Sequence, residues 1–279
     1  MEEKISYLRN KVNMSKHKVL DLCVKAGMGH VSSAYSCAEI LCVLYYSVMN
    51  IRPDEPDYEN RDRFIMSKNH ASIMQYPILA DMGFIKPEEL DDFLSPEGSM
   101  FGSHSKLAIP GVDFAGGSLG LGIGVAAGIA YAAKSDKKDY KIYCLLGDGE
   151  LYEGSVWESV MFASHNNLSN LVAIVDRNKL AITDYTENML RLESIIEKWK
   201  AFGWEVISCN GHDIRQLLDV FERAENRKSD TPLVIIADTE KGKGIDFIEG
   251  KLNWHGAAPK KEQVESAYNS LEKEVKSYE

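Results

Sequence analysis

The sequence predicts an α/β fold in which a mainly parallel sheet is covered by helices on both faces. Short apolar runs that are typical of buried strands occur at residues 142–146, 171–176, 205–208 and 233–238. Helical patterns lie between them, and strands that alternate with helices are joined by right-handed crossovers into a parallel sheet. The chain of 279 residues is also long enough to bury one large core of this kind.

The part of the chain before this alternation is predicted to be mostly helical. Apolar residues recur there at roughly helical spacing, at Ile5, Leu8, Val12, Val19 and Leu22. Ser36 with Glu39 predicts a capping box at the start of the next apolar run. A loop rich in Pro, Asp and Glu at residues 52–62 then leads to a short strand at 63–67 and to a helix that starts near His70.

The helices of the alternating region are predicted from periodicity and caps. One helix is predicted at residues 155–165, between the first two strands of that region, and another at 192–202. Asp213 is predicted to cap a helix that runs to about residue 225, ahead of the last strand.

We expect the whole chain, residues 1–279, to form a single domain. Residues 1–62 are its helical lead-in, residues 63–259 its α/β core, and residues 260–279 a C-terminal surface helix rich in Lys and Glu. We expect no chemistry from the tail beyond Pro259.

Residues 114–133 form a stretch of twenty residues without a charge, which is the length of a membrane span. Six of these residues are glycine, and so many glycines make a lipid-facing helix a poor candidate. We therefore predict a helix that is buried inside the protein and whose small residues allow close backbone contacts.

Composition excludes several classes of protein. There are 42 acidic and 32 basic side chains, giving a net charge of −10, which argues against a nucleic-acid partner. The five cysteines are scattered and never spaced as CxxC, which favours reduced thiols over disulfides or a zinc site. The first ten residues place no apolar stretch behind their charges, so we predict no signal peptide, no membrane association and a cytoplasmic location.

Polar residues at the ends of two predicted strands carry the chemistry. Asp148 lies between Gly147 and Gly149 directly after one strand, and Asn178 follows thirty positions later, just past the next. Ligands of such sheets bind beyond the carboxyl ends of the strands. Asp148, the amide oxygen of Asn178 and the carbonyl of Leu180 would offer hard oxygen ligands to magnesium, with diphosphate oxygens and water completing an octahedron. The alternative is that this Asp-Gly pair is merely a turn.

This order of motifs resembles the signature of thiamine diphosphate (ThDP) enzymes, and further segments resemble the transketolase family. The segments are residues 27–34, 61–70, 102–106 and 110–120, together with Trp254-His255-Gly256. The resemblance extends from about Met28 to Pro259. It implies the ThDP-binding fold, ThDP with Mg²⁺ (or Ca²⁺ or Mn²⁺) as cofactors, and transfer of a two-carbon ketol unit from a ketose to an aldose.

The resemblance also implies which residues form the site. The implied catalytic residues are His30, His104, His255 and Glu153, the last where the family carries a glutamate that links the two active sites of a dimer. The implied cofactor-binding residues are His70, Gly117, Ser118, Leu119, Asp148, Gly149, Asn178, His255 and Lys241, and the metal ligands are Asp148, Asn178 and Leu180. Imidazoles suit the proton transfers of this reaction because they titrate near neutral pH. For Lys241 the alternative is a solvated loop lysine, and His17, His165 and His212 are left to surface or packing roles.

Three departures from the family pattern lie next to these residues. Asn69 stands where split transketolases commonly have glycine, Leu121 where they commonly have glutamine, and residues 183–185 where a glycine is usual. The preferred sugar is therefore open between a sugar phosphate of the pentose phosphate pathway and a branched-chain or sulfonated sugar.

The resemblance implies a missing half as well. Transketolases carry an activating glutamate and their sugar-phosphate-binding residues in a second, pyrimidine-binding domain. We therefore expect this chain to act as the N-terminal subunit of a split transketolase, in a complex with two copies of each chain.

Other interpretations are weaker. The α subunit of a 2-oxo acid dehydrogenase shares the metal-binding motif but does not usually carry the three implied catalytic histidines, and deoxyxylulose-phosphate synthase is usually one long chain. Gly122-x-Gly124-x-x-Ala127 fits a loosened dinucleotide fingerprint, with Asp148 as the ribose-binding acid, but no strand is predicted before it. A membrane or scaffold protein using residues 114–133 is the non-catalytic alternative.

Overall fold

The computed structural model describes residues 1–276 and contains the predicted parallel sheet. Its strands are β1 (Arg63–Met66), β2 (Ile142–Gly147), β3 (Leu171–Arg177), β4 (Glu205–Asn210) and β5 (Leu233–Asp238). They lie in the order β1-β2-β3-β5-β4, and every neighbouring pair is parallel. The predicted fold class and strands are confirmed, with strand ends shifted by at most two residues.

Helices cover both faces of this sheet. The α-helices of the described part are α1 (Glu2–Ala26), α2 (Val31–Tyr35), α3 (Ala38–Val43), α4 (Gln75–Met82), α5 (Gly122–Ser135), α6 (Gly154–His165), α7 (Thr186–Met189), α8 (Ile195–Ala201), α9 (Ile214–Asn226) and α10 (Val264–Lys276). Tyr143 and Leu145 of β2 pack in the apolar cluster with α1, α3 and α9. Cys144 and Leu146 pack with α5, α6 and α8 on the other face, because successive strand residues point to opposite sides. Asp213 caps α9 as predicted, accepting hydrogen bonds from two backbone N–H groups.

The predicted capping box of Ser36 and Glu39 is wrong. Helix α3 begins after Cys37 without a side-chain cap. The Ser36 hydroxyl instead donates to Asp176 at 2.6 Å, and Glu39 pairs with the buried ammonium of Lys16 at 2.9 Å. A buried charge needs a partner far more than a helix end needs a cap, so the long-range contacts prevail.

The predicted buried helix at residues 114–133 is only partly right. Residues 114–121 form a loop, and helix α5 begins at Gly122. One face of α5 is exposed, with Val125 and Tyr131 in solvent. Because a loop and not a strand leads directly into Gly122, the dinucleotide interpretation lacks its structural context. Across residues 1–276, every helix is too short or too polar to span a bilayer.

The C-terminal helix contributes more than the predicted surface role. Ala267 and Leu271 of α10 are fully buried against the core. Glu274 accepts a hydrogen bond from Lys16 at 3.1 Å. Helix α10 is therefore packed onto α1 and the core.

Candidate active site

A cavity at the carboxyl edge of the sheet collects most of the predicted site residues. Strands β2 and β3 end side by side, with Gly147 in register with Asp176, so the residues after them share one edge. The cavity has a volume of about 350 Å³. The predicted site residues that line it are His70, Leu119, Asp148, Gly149, Asn178, Leu180, Lys241 and His255. The apolar side chains of Ile182 and Met189 line another part of its wall.

The Asp148 carboxylate is buried and held on both oxygens. Its Oδ1 accepts the N–H of Gly149 at 2.8 Å. Its Oδ2 accepts the N–H of Lys179 at 2.5 Å and an N–H of the Arg177 guanidinium at 2.9 Å. Burial raises the pKa of Asp148, and the nearby Asp176 adds to this effect against the opposing Arg177.

The donor set at this edge fits a hard divalent cation. The carboxylate of Asp148, the amide oxygen of Asn178 and the carbonyl of Leu180 belong to residues that line the same cavity. Asn178 Oδ1 accepts the N–H of Leu180 at 3.2 Å, which leaves a lone pair for a metal. No group of three or more His, Cys, Asp or Glu side chains is arranged for a metal within residues 1–276. A cation here would therefore need further oxygen ligands, and a diphosphate supplies them.

Three imidazoles meet beside this edge. The ring centroids of His30 and His70 are 5.3 Å apart, those of His30 and His255 5.5 Å, and those of His70 and His255 5.2 Å. Burial and the neighbouring Lys241 lower the pKa of His255 to about 3. Burial and nearby cations also lower the pKa of His70 and of His30. All three rings are therefore neutral at pH 7 and can each donate and accept a hydrogen bond.

Lys241 joins the imidazoles to the cavity. Its Nζ lies 2.8 Å from Nδ1 of His255, and the residue is only 4% exposed, which rules out the solvated loop lysine. The following Gly242 has a φ of 82° and donates its N–H to the carbonyl of Ser32, which turns the loop inward. Burial and the cation of Lys68 lower the pKa of Lys241 to about 8. An anion placed beside it would favour its protonated form.

A buried ion pair beneath the cavity was missed by the sequence analysis. The Lys68 ammonium donates to the carboxylate of Asp176, to the carbonyl of Ser33 at 3.0 Å and to the hydroxyl of Ser36 at 3.2 Å. Asp176 also accepts from Thr239. Burial works to lower the pKa of Lys68, but the surrounding acidic groups, Asp176 first among them, together raise it. The available signal was a charged residue inside a strand whose every residue is buried.

A second missed residue holds the loop that carries Leu119. The buried carboxylate of Glu150 accepts from the hydroxyl of Ser67, from the N–H of Gly120 at 2.8 Å and from the N–H of Gly147 at 3.1 Å. Burial raises its pKa. Glu150 thereby fixes the 118–120 loop against the ends of β1 and β2.

Five predicted site residues do not line the cavity: His30, which packs against the rings of His70 and His255, and four exposed residues. His104, Gly117, Ser118 and Glu153 are all exposed. His104 and Gly117 are neighbours, since a Cβ on Gly117 would lie 3.8 Å from Cδ2 of His104. Glu153 stands at the start of α6, on the outer side of the 118–120 loop. The four exposed residues face outward from the rim, where another chain could reach them.

Comparison with known proteins identifies close relatives over nearly the whole chain. The sequence model of the family described as "Transketolase, thiamine diphosphate binding domain" matches residues 8–278. An apulose-4-phosphate transketolase subunit of Phocaeicola vulgatus is 39% identical over 265 residues, which are 95% of this chain and 94% of that one. The 6-deoxy-6-sulfo-D-fructose transketolase subunit SqwG of Clostridium sp. is 38% identical, over 98% of this chain and 99% of that one.

Longer transketolases match the chain over less than half of their own length. Human transketolase is 37% identical over 99% of this chain and 44% of its own length. The crystal structure of transketolase from Campylobacter jejuni superimposes with a TM-score of 0.88 at 34% identity, covering 95% of this chain and 42% of that one. The chain thus spans nearly all of the relatives named as subunits and less than half of these longer ones.

Proposed function

Because the chain belongs to the transketolase family and matches the thiamine diphosphate-binding domain of that family, we propose that it is the N-terminal subunit of a ThDP-dependent transketolase. The complete enzyme transfers a two-carbon ketol unit from a ketose to an aldose. One observation carries the proposal: Asp148, Asn178 and Lys241 line a single cavity together with the imidazoles of His70 and His255. Such a set can hold a metal diphosphate and also handle the protons of a sugar.

We assign the metal and the diphosphate to the carboxyl edge of β2 and β3. Asp148, Asn178 and the Leu180 carbonyl would ligate Mg²⁺ or another hard divalent cation. Lys241 would face the diphosphate, and Gly149 would let the backbone approach it. The bound cofactor supplies the electron sink that makes a C–C bond beside a carbonyl breakable. The apolar wall with Ile182 and Met189 suits the uncharged parts of the cofactor.

The histidines would move the protons of the sugar. When Lys241 is protonated it donates to Nδ1 of His255, so the neutral ring carries its proton on Nε2. That N–H is then free to donate to a sugar oxygen. His30 Nδ1 lies 3.4 Å from the hydroxyl of Ser103, which likewise leaves Nε2 for the substrate. The lowered pKa of each ring keeps it neutral at pH 7, so that each can make a hydrogen bond to the sugar through Nε2.

The remaining half of the site would come, at the cavity mouth, from a separate chain that carries the C-terminal, pyrimidine-binding domain. Ile182 and Leu190 are 61% and 65% exposed beside that mouth, which supports a protein partner there. The relatives named as subunits, which this chain matches almost from end to end, support a separate partner chain.

We further propose two copies of each chain in the complex. Helices α5 and α6 expose the apolar side chains of Val125, Tyr131, Met161 and Phe162, and the rings of Tyr131 and Phe162 are 5.8 Å apart. Glu153 stands at the head of the same α6. A second copy on this face would place the two Glu153 side chains near each other's sites. Phe162→Glu should therefore halve the mass of the complex in sedimentation, whereas Glu158→Lys on the same helix should not.

The sugar class is inferred from the names of the relatives, and the cellular location from the cysteines. Two of them are named for apulose 4-phosphate and 6-deoxy-6-sulfo-D-fructose, which supports a specialised sugar beside the pentose phosphates of central carbohydrate metabolism. Of the departures from the family pattern, Leu121 is exposed and Asp184 is half-buried, and both lie within two residues of the cavity-lining Leu119 and Thr183. The five cysteines are free and buried, which supports a location in the reducing cytoplasm.

The testing experiment captures the partner with the tagged chain from native lysate and assays the eluate. The donors compared are a pentulose 5-phosphate, apulose 4-phosphate and 6-deoxy-6-sulfofructose, each with and without ThDP and Mg²⁺. We expect cofactor-dependent transfer from one donor class, lost in Asp148→Ala and absent from the isolated chain. Full transfer by the isolated chain would overturn the two-subunit proposal, and transfer independent of ThDP would overturn the function.

A further inference from the structure

The loop that carries His104 is fastened by the two serines that flank this residue. His104 itself is exposed at the rim, whereas Ser105 is only 3% exposed. The hydroxyl of Ser103 lies 3.4 Å from Nδ1 of His30. The hydroxyl of Ser105 donates to the carbonyl of Phe114 at 3.1 Å. The loop is therefore bonded to its neighbours on either side of an outward-facing imidazole.

The strongest of these attachments is made by Asn69, whose side chain is 1% exposed. Its Oδ1 accepts the N–H of Ser105 at 2.8 Å, and the Ser72 hydroxyl, which donates to the main-chain carbonyl of Asn69 at 2.6 Å, lies 3.1 Å from Oδ1. Its Nδ2 donates to the hydroxyl of Ser105 at 3.0 Å and to the carbonyl of Met66 at 3.2 Å. Every hydrogen-bonding group of this amide is satisfied, which fixes its orientation.

Asn69 therefore links two histidine-bearing segments. It directly precedes His70, which lines the cofactor cavity, and it bonds both the backbone and the side chain of the residue after His104. The resemblance to split transketolases places a glycine at this position, and a glycine could make none of the side-chain bonds. The chain thus has a side-chain clamp where its relatives commonly have no side chain.

We propose, on the basis of the function proposed above, that Asn69 is a positioning residue that fixes His104 relative to His70 for contact with the sugar. A loop imidazole held only by its backbone samples many positions, and a misplacement of about 1 Å can cost roughly 100-fold in rate. The hydrogen bonds of Asn69 and Ser105 go to other residues than the proposed metal ligands Asp148 and Asn178, so the clamp acts on the histidine side of the cavity.

The test compares Asn69→Ala and Asn69→Gly with Ser99→Ala in the two-subunit complex. Ser99 is a matched control because its hydroxyl also bonds within this loop, to the backbone of Phe101, but does not touch Asn69. We expect both Asn69 variants to lower kcat/KM for the ketose at least about tenfold. The dissociation constant of ThDP with Mg²⁺ should change less than about twofold, because the proposed metal ligands and Lys241 are untouched.

A double-mutant cycle separates positioning from a general loss of structure. If Asn69 acts through His104, Asn69→Ala should add little to the loss caused by His104→Ala. The proposal would be overturned if the losses of kcat/KM in Asn69→Ala and His104→Ala multiply in the double variant. It would equally be overturned if Ser99→Ala loses as much kcat/KM, or if ThDP affinity falls in parallel.

A measurement without catalysis distinguishes failure of this inference from failure of the proposed function. In a chain labelled with ¹³C-histidine, Asn69→Ala should shift the ring resonance of His104, assigned by its absence in His104→Ala. The resonance of His165, on the outside of α6, should stay in place. An unchanged His104 resonance would overturn the clamp whatever the transfer assay gives.

Discussion

The guanidinium of Arg177 donates to the Asp148 carboxylate at 2.9 Å, the same carboxylate to which we assign the metal. Arg177 also donates to the hydroxyl of Thr186 at 2.7 Å and to Glu193 at 2.9 Å. One buried cation therefore compensates the proposed metal ligand and ties it to the segment that follows β3. Arg177 thereby opposes the rise that burial causes in the pKa of Asp148, and it orients the carboxylate before any metal binds.

Arg177→Met should destabilise the cofactor-free chain by about 3 kcal/mol, because breaking a buried ion pair leaves the Asp148 charge without a partner. Mg²⁺ with ThDP should reduce the difference in the free energy of unfolding between this variant and the wild type, since the cation supplies the missing positive charge. Urea unfolding with and without the cofactors measures both quantities. Arg215→Met, which removes a surface ion pair with Glu2, is the control and should leave both curves unchanged. If Mg²⁺ and ThDP leave this difference in stability unchanged, the assignment of the metal to Asp148 is contradicted.

Binding of ThDP should take up a proton through Lys241 near pH 8. The pKa of Lys241 is lowered to about 8 in the chain, and a diphosphate beside it raises that pKa. Affinity is then highest below pH 8 and falls by at most about tenfold per pH unit above it, until the pKa of the complex is reached. Calorimetry in two buffers of different ionisation enthalpy measures the uptake. The Lys241→Arg variant stays charged and should bind ThDP without taking up a proton. Undiminished proton uptake in that variant would point to another group.

The sheet and the position of the proposed metal ligands could be predicted because they depend on short-range patterns. Apolar runs followed by Gly147-Asp148-Gly149 and by Asn178 fix both the strand ends and their order. Parallel topology then brings the two ends to one edge, as the register of Gly147 with Asp176 confirms.

The remaining features depend on contacts between distant residues, which a local pattern does not encode. Ser36 and Glu39 match a capping box, but partners 140 and 23 residues away use their side chains instead. The uncharged residues 114–121 have a composition that suits both a buried helix and a glycine-rich loop. The clamp by Asn69 reaches a loop 36 residues away and becomes visible only when that loop is placed.

Acid should destabilise the cofactor-free chain from about pH 6.5 downward. The fold lowers the pKa of His30, His70 and His255 below their usual value of 6.5, chiefly by burial. Below that pH the unfolded chain binds protons that the folded chain does not, so the free energy of unfolding falls. The slope is at most about 1.4 kcal/mol per pH unit for each histidine, and for His255 the loss continues to about pH 3.

Urea unfolding between pH 7.5 and 5.5 measures this slope. His255→Gln should reduce the slope by up to about 1.4 kcal/mol per pH unit. The reduction is smaller to the extent that solvent screens this half-buried ring. His165→Gln, on the exposed side of α6, is the control and should keep the wild-type slope. Equal slopes in the wild type and His255→Gln would show that His255 is not held neutral by the fold.

Gly122→Ala should destabilise the chain by about 1–3 kcal/mol, because a Cβ at this position would lie 2.4 Å from the hydroxyl and 2.8 Å from the Cα of Ser67. Ser67 donates to Glu150, which holds the N–H of Gly120, so the 118–120 loop should move and weaken ThDP binding. Gly128→Ala in the same helix meets nothing within 4 Å and should stabilise by up to about 1 kcal/mol. Urea unfolding, at concentrations where the chain is monomeric, measures both. Equal effects of the two variants would mean that the start of α5 is not packed tightly against Ser67.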